Sequence, residues 1–92
     1  MASYTVSRSK HATLGAGVVD TVNLTAHEQG VEVINHDASS VIYVTFDGPV
    51  PTVAGDNTLY VPVSEVYYHR VPTRRVRLIS AGTPAYSVQG VP

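Results

Sequence analysis

The chain has 92 residues, 43% of them hydrophobic, with six Lys or Arg against seven Asp or Glu and a formal net charge of −1. That is enough for one domain with one modest core, and the near-neutral balance offers no electrostatic footprint for nucleic acid or an anionic membrane. Cysteine is absent, which excludes a disulfide framework and any thiolate metal site.

Residues 1–17, MASYTVSRSKHATLGAG, mix Ser, Thr, Ala and Gly with Arg8, Lys10 and His11, and only Tyr4 and Val6 hint at a short strand. The segment reads as a flexible N-terminal arm ahead of a single β domain over residues 18–92. Extended, about 15 residues reach roughly 50 Å, farther than the width of such a domain, so the arm is expected either to order on a neighbouring subunit or to fray. Residues 1–15 lack the apolar stretch of a cleaved signal, and no apolar run approaches the roughly 20 residues of a membrane-spanning helix, so synthesis in the cytoplasm is expected.

Residues 18–24 alternate Val18, Asp20, Val22 and Leu24 against Val19, Thr21 and Asn23 and predict a strand; residues 31–35 predict the next. The connector over residues 25–30 ends in Gly30, which permits a positive φ. A polar turn, His36 to Ser40, leads into residues 41–46, where β-branched and aromatic residues alternate with period two. Asp47-Gly48-Pro49 stops that strand, and Gly55-Asp56-Asn57 makes a second turn.

Further strands are expected over residues 58–63, 66–71, 75–80 and 85–91. Pro62 and Pro72, lacking a ladder donor, mark sheet edges or strand ends. Ser64 can serve as the N-cap of one helical turn around Glu65 and Val66. Seven or eight short strands separated by turns predict an all-β fold, a small antiparallel β-sandwich or jelly-roll-like barrel.

The chemical inventory is thin. His11, His27, His36 and His69 show neither an i, i+4 pair nor an H-x-H spacing, so no metal site and no cofactor is expected. Asp47 and Asp56 lack the dense ligand spacing of a calcium loop and read as turn residues. No G-x-S-x-G elbow or phosphate-cradling loop occurs. Among Glu28, Glu32 and Glu65, Glu32 lies between Val31 and Val33 and points to solvent, so nothing marks a carboxylate pair for glycoside hydrolysis. The chain reads as a non-enzyme.

What remains is surface. Tyr67-Tyr68-His69-Arg70 and Arg74-Arg75-Val76-Arg77 place large rings and guanidinium groups in one segment, with Arg75 and Arg77 on one strand face and Val76 and Leu78 on the other. Tyr and Arg are enriched at interface centres. Tyr67, Tyr68, Arg70 and Arg74, with Arg8 and Lys10 of the arm, are the candidate partner-contact residues.

The run VEVINHDASSVIYVTFDGPVPTVAGDNTLYVPV, followed by RRVRLISAGTPAYSVQGV, resembles small structural virion proteins of tailed bacteriophages infecting actinobacteria. The resemblance lies in V-x-V-x-N, S-S-x-I-Y-V-T-x-D-G, P-T-V-x-G-D-N and V-R-L-I-S-x-G-T-x-x-Y-S-V-x-G, between Val31 and Val91. It implies a capsid decoration or minor capsid protein, a homo-oligomer with a trimer favoured, bound to the major capsid protein at the capsid surface. The segment before Val18 lies outside it. A tail or baseplate β-module that binds a host surface glycan through Tyr43 or Tyr60 is the other expectation.

Overall fold

A computed structural model of the chain describes residues 2–26 and 29–92. His27 and Glu28, named above as a histidine and an acid of interest, lie outside the described residues.

Among the described residues nine strands form: β1 (Ala2–Val6), β2 (Ser9–Thr13), β3 (Asp20–Leu24), β4 (Gly30–Asn35), β5 (Ile42–Phe46), β6 (Leu59–Val61), β7 (Val66–His69), β8 (Arg75–Ile79) and β9 (Ala85–Val91). They lie in a five-stranded sheet of order β1-β3-β8-β5-β6 and a four-stranded sheet of order β2-β9-β4-β7. None of the described residues is helical.

From β2 onward the pairings are those of one long hairpin: β2 with β9, β3 with β8, β4 with β7 and β5 with β6, all antiparallel. Strands β2 to β5 run out, β6 to β9 run back, and the ribbon is wrapped so that its members alternate between two sheets. That is the jelly-roll winding, the second of the two architectures the strand pattern allowed. β4–β9 and β5–β8 contacts complete the sheets.

The first strand stands outside this scheme, pairing parallel to β3 from Ala2 opposite Asp20 to Val6 opposite Leu24. The segment expected to be an arm is therefore built into the sandwich: β1 extends one sheet, β2 edges the other, and Leu14, just past β2, is buried in the core. Its composition hid this. Edge strands bury one face only, and here that face carries Tyr4, Val6 and Ala12, the three N-terminal side chains packed on the core, while Ser3, Thr5, Ser9 and Thr13 face away.

The core is what period-two alternation of β-branched residues produces. Val22, Val31, Val33, Ile42, Val44, Val61, Val76, Leu78 and Val88 are fully enclosed, with Leu24 and Tyr86 beside them. Two stacked sheets about 10 Å apart leave room for side chains of this length. Among the described residues, the six buried polar side chains all have a hydrogen-bond partner: Asp20, Asn35, Thr45, Thr73, Ser80 and Ser87. Asn35 is typical, donating to the carbonyls of Ser40 (2.8 Å) and Val61 (3.3 Å) while accepting from Asp37 N–H (2.9 Å).

Two turn expectations change. Gly30 is needed for space: a Cβ there would lie 2.6 Å from the His69 carbonyl oxygen and 3.0 Å from the Tyr68 ring. Ser64 caps no helix; it sits at φ 56°, with its N–H on the Asp37 carbonyl at 2.9 Å, and sends the chain directly into β7. Pro62 and Pro72 do follow strand ends, after β6 and β7.

Candidate partner interface

β7 is an edge strand, and its alternation sorts the candidate residues. Glu32 lies opposite Tyr68 and Ile34 opposite Val66, so Val66 and Tyr68 share the outer face of the four-stranded sheet. Tyr67 and His69 turn inward toward the other sheet. There Phe46 stacks on His69 with ring centroids 4.0 Å apart and planes 5° apart, and on Tyr67 at 5.7 Å and 21°. Tyr67, named above as a contact residue, is thus half-buried and packs on the core. Burial holds the His69 imidazole below its ordinary proton affinity, against a smaller opposing pull from Asp47.

Asp47 anchors the segment that follows. At φ 50°, its carboxylate accepts from Arg75 N–H at 2.8 Å and from Arg74 N–H at 3.2 Å, and its own N–H donates to the Arg75 carbonyl at 2.8 Å. Thr73 Oγ1 closes the β7–β8 turn on the Val71 carbonyl at 2.8 Å. Tyr68 near the end of β7 is exposed, as are Arg70, Val71, Pro72 and Arg74 on the braced turn. Val66 and Val71 are each 53% exposed and Tyr68 41%, and the Arg70 guanidinium lies 4.8 Å over the Tyr68 ring. A cation stacked on a ring gives a flat amphipathic surface at low ordering cost.

Arg8 and Lys10 lie elsewhere on the same sheet. β2 and β7 are its two opposite edges, about 14 Å apart at normal strand spacing. Lys10 Nζ caps the Tyr4 ring at 4.2 Å, bridging the two sheets, and the Arg8 carbonyl accepts from Gly90 N–H at 2.8 Å. The strand registers nevertheless put the β1–β2 turn and the β7–β8 turn at one end of the sandwich. Arg8, Arg70 and Arg74 therefore share a pole, and the turns of the opposite pole carry Asp37 and Glu65 with no Lys or Arg. The Ser40 and Ser39 N–H groups and the Ser39 hydroxyl hold the Asp37 carboxyl below its usual range.

Two further clusters are present. Tyr43 and Tyr60, cross-strand partners on the outer face of the five-stranded sheet, have ring centroids 6.3 Å apart at 44°. On the outer face of the other sheet, His11 Nδ1 and His36 Nε2 lie 2.6 and 2.7 Å from the same Ser87 hydroxyl oxygen. Sequence spacing concealed this pair, because β2 and the β4–β5 turn meet only through β9; the one-dimensional signal was limited to four scattered histidines.

No protein-family model matches the chain, and no curated protein or solved structure gives a significant match.

Proposed function

We propose that this chain is a non-enzymatic structural virion protein, a capsid decoration protein that docks on the major capsid lattice, stabilises the head and acts there as a homo-oligomer, with a trimer favoured. The observation that carries the reading is the outward surface of β7 and the turn after it: exposed Val66, Tyr68 and Val71 beside Arg70 and Arg74, with the backbone of Arg74 and Arg75 held by Asp47. Apolar and aromatic area flanked by guanidinium groups is the composition of interface centres. The resemblance between Val31 and Val91 supplies the partner. A jelly roll with a valine core suits a load-bearing role, since close-packed interiors transmit strain with little compression.

The test is uptake by capsids that lack the protein. Purified chain mixed with such capsids and sedimented through a cushion is expected to saturate at a fixed ratio to the major capsid protein; absence of saturable uptake ends the proposal.

The Tyr43–Tyr60 pair supports a second reading, a tail or baseplate module that binds a host surface glycan. Tyr60 is exposed at a sheet edge and offers a ring face for sugar stacking. Binding of the chain to isolated host cell wall, lost in Tyr60→Ala, is the result that reading requires.

A further inference from the structure

The outer face of the four-stranded sheet holds two imidazoles aimed at one atom. His11 on β2 is the direct cross-strand partner of Ser87 on β9, and its Nδ1 is 2.6 Å from Ser87 Oγ. His36 follows β4; its backbone N–H donates to the Ala85 carbonyl at 3.0 Å, which brings Nε2 to 2.7 Å from the same oxygen. Ser87 is buried, whereas both histidines are exposed. The hydroxyl is therefore the floor of the cluster and the imidazoles are its rim.

A serine hydroxyl has one proton to donate. It can serve one imidazole as acceptor, and the other ring must turn its N–H toward the oxygen. Both nitrogens are held within hydrogen-bond range of one atom by backbone that three paired strands fix in place. A cation bound at about 2.0–2.1 Å by each of two imidazoles needs them roughly 3–4 Å apart, and here both nitrogens already converge on one oxygen atom.

The geometry points to a divalent transition-metal site, with His11 Nδ1 and His36 Nε2 as ligands, the Ser87 hydroxyl beneath as a weak oxygen donor, and water on the open side. Imidazole pairs favour Cu²⁺, Ni²⁺ and Zn²⁺ over Mg²⁺ or Ca²⁺. No third histidine or carboxylate joins them among the described residues, so the site is open, unlike a closed structural zinc centre. The ring that donates N–H to Ser87 shifts that proton to its other nitrogen when the metal arrives, so the step conserves charge on the protein. The site is separate from the β7 surface and does not depend on the capsid reading.

The test is titration of the full chain with NiCl₂ and, separately, ZnCl₂ at neutral pH, followed by calorimetry and by the histidine ring signals in NMR. One ion per chain is expected, at micromolar affinity, with Zn²⁺ shifting the His11 and His36 ring signals and leaving those of His69 in place. His11→Ala and His36→Ala should each weaken binding by about tenfold or more, and His69→Gln should leave it unchanged. The NMR readout uses wild-type protein, so the outcome stands even if a variant misfolds. Binding only at millimolar metal, or ring shifts confined to other histidines, overturns the site.

Discussion

Removing one oxygen atom tests how the two sheets are held together. Tyr86, on β9 of the four-stranded sheet, is buried and donates its hydroxyl to Asp20 Oδ2 at 2.9 Å; Asp20 opens β3 of the other sheet and is also buried. Burial, the bond itself and the neighbouring carboxylate push the Tyr86 hydroxyl above its usual range, so it is a donor at neutral pH. Tyr86→Phe keeps the ring in the core and deletes only the donor. A hydrogen bond to a charged group contributes about 1.5–3 kcal/mol, and a buried carboxylate left without it adds its own desolvation cost, so a loss of about 2–3 kcal/mol is expected. Total stability for a chain of this length is on the order of 5–14 kcal/mol, so the loss is a substantial share. With a urea m-value of about 1 kcal/mol/M, the midpoint of unfolding should fall by about 2–3 M at unchanged slope. In the double variant Asp20→Ala/Tyr86→Phe the losses should be markedly less than additive. A Tyr86→Phe midpoint within error of wild type, or strict additivity, refutes the reasoning and places that carboxylate in contact with water.

Deleting residues 2–13 removes an edge from each sheet along with Tyr4, Val6 and Ala12, and should cost at least about 3 kcal/mol in urea unfolding; a detachable arm would leave the midpoint unchanged. His69 has its proton affinity lowered by burial from an ordinary value of 6.5, so the unfolded chain takes up that proton first as pH falls. The His69 contribution to stability is complete above about pH 6.5 and drains away below it. His69→Phe should therefore show a smaller stability loss than wild type between about pH 7 and pH 5 by chemical denaturation, and an identical loss would contradict the assignment. Gly30→Ala drives a Cβ against the His69 carbonyl and should destabilise by about 1–3 kcal/mol in the same assay. Tyr68→Ser combined with Arg70→Ser should change stability by no more than about 0.5 kcal/mol while weakening capsid uptake; unaltered uptake would move the docking surface elsewhere.

Seven of the nine strands were legible in the amino-acid sequence, and the reason is local. From β3 to β9, each strand carries β-branched or aromatic residues between turn residues, and the observed bounds fall within one or two positions of those expected. β1 and β2 escaped because an edge strand needs few apolar residues, and because the parallel pairing of β1 with β3 is a nonlocal contact that leaves no mark on spacing. Tyr67 and Tyr68 show a different limit. Two adjacent tyrosines point to opposite faces of any strand, and only the register with Glu32 and Val33 tells which one faces outward. Arg75 and Arg77 against Val76 and Leu78 were sorted correctly because burial of the valine and leucine allows one answer. The His11–Ser87–His36 cluster had no sequence signature, since its members are joined by strand order alone.

The central claim, that this jelly roll is a capsid-bound structural protein docking through the β7 edge, is tested most directly by a density map of the assembled particle at side-chain resolution. The account predicts copies on the outer surface of the head, with Val66, Tyr68, Val71 and the Arg70–Arg74 turn covered by the major capsid protein. A head shell without this chain, or copies seated on it with that face open to solvent, would contradict it.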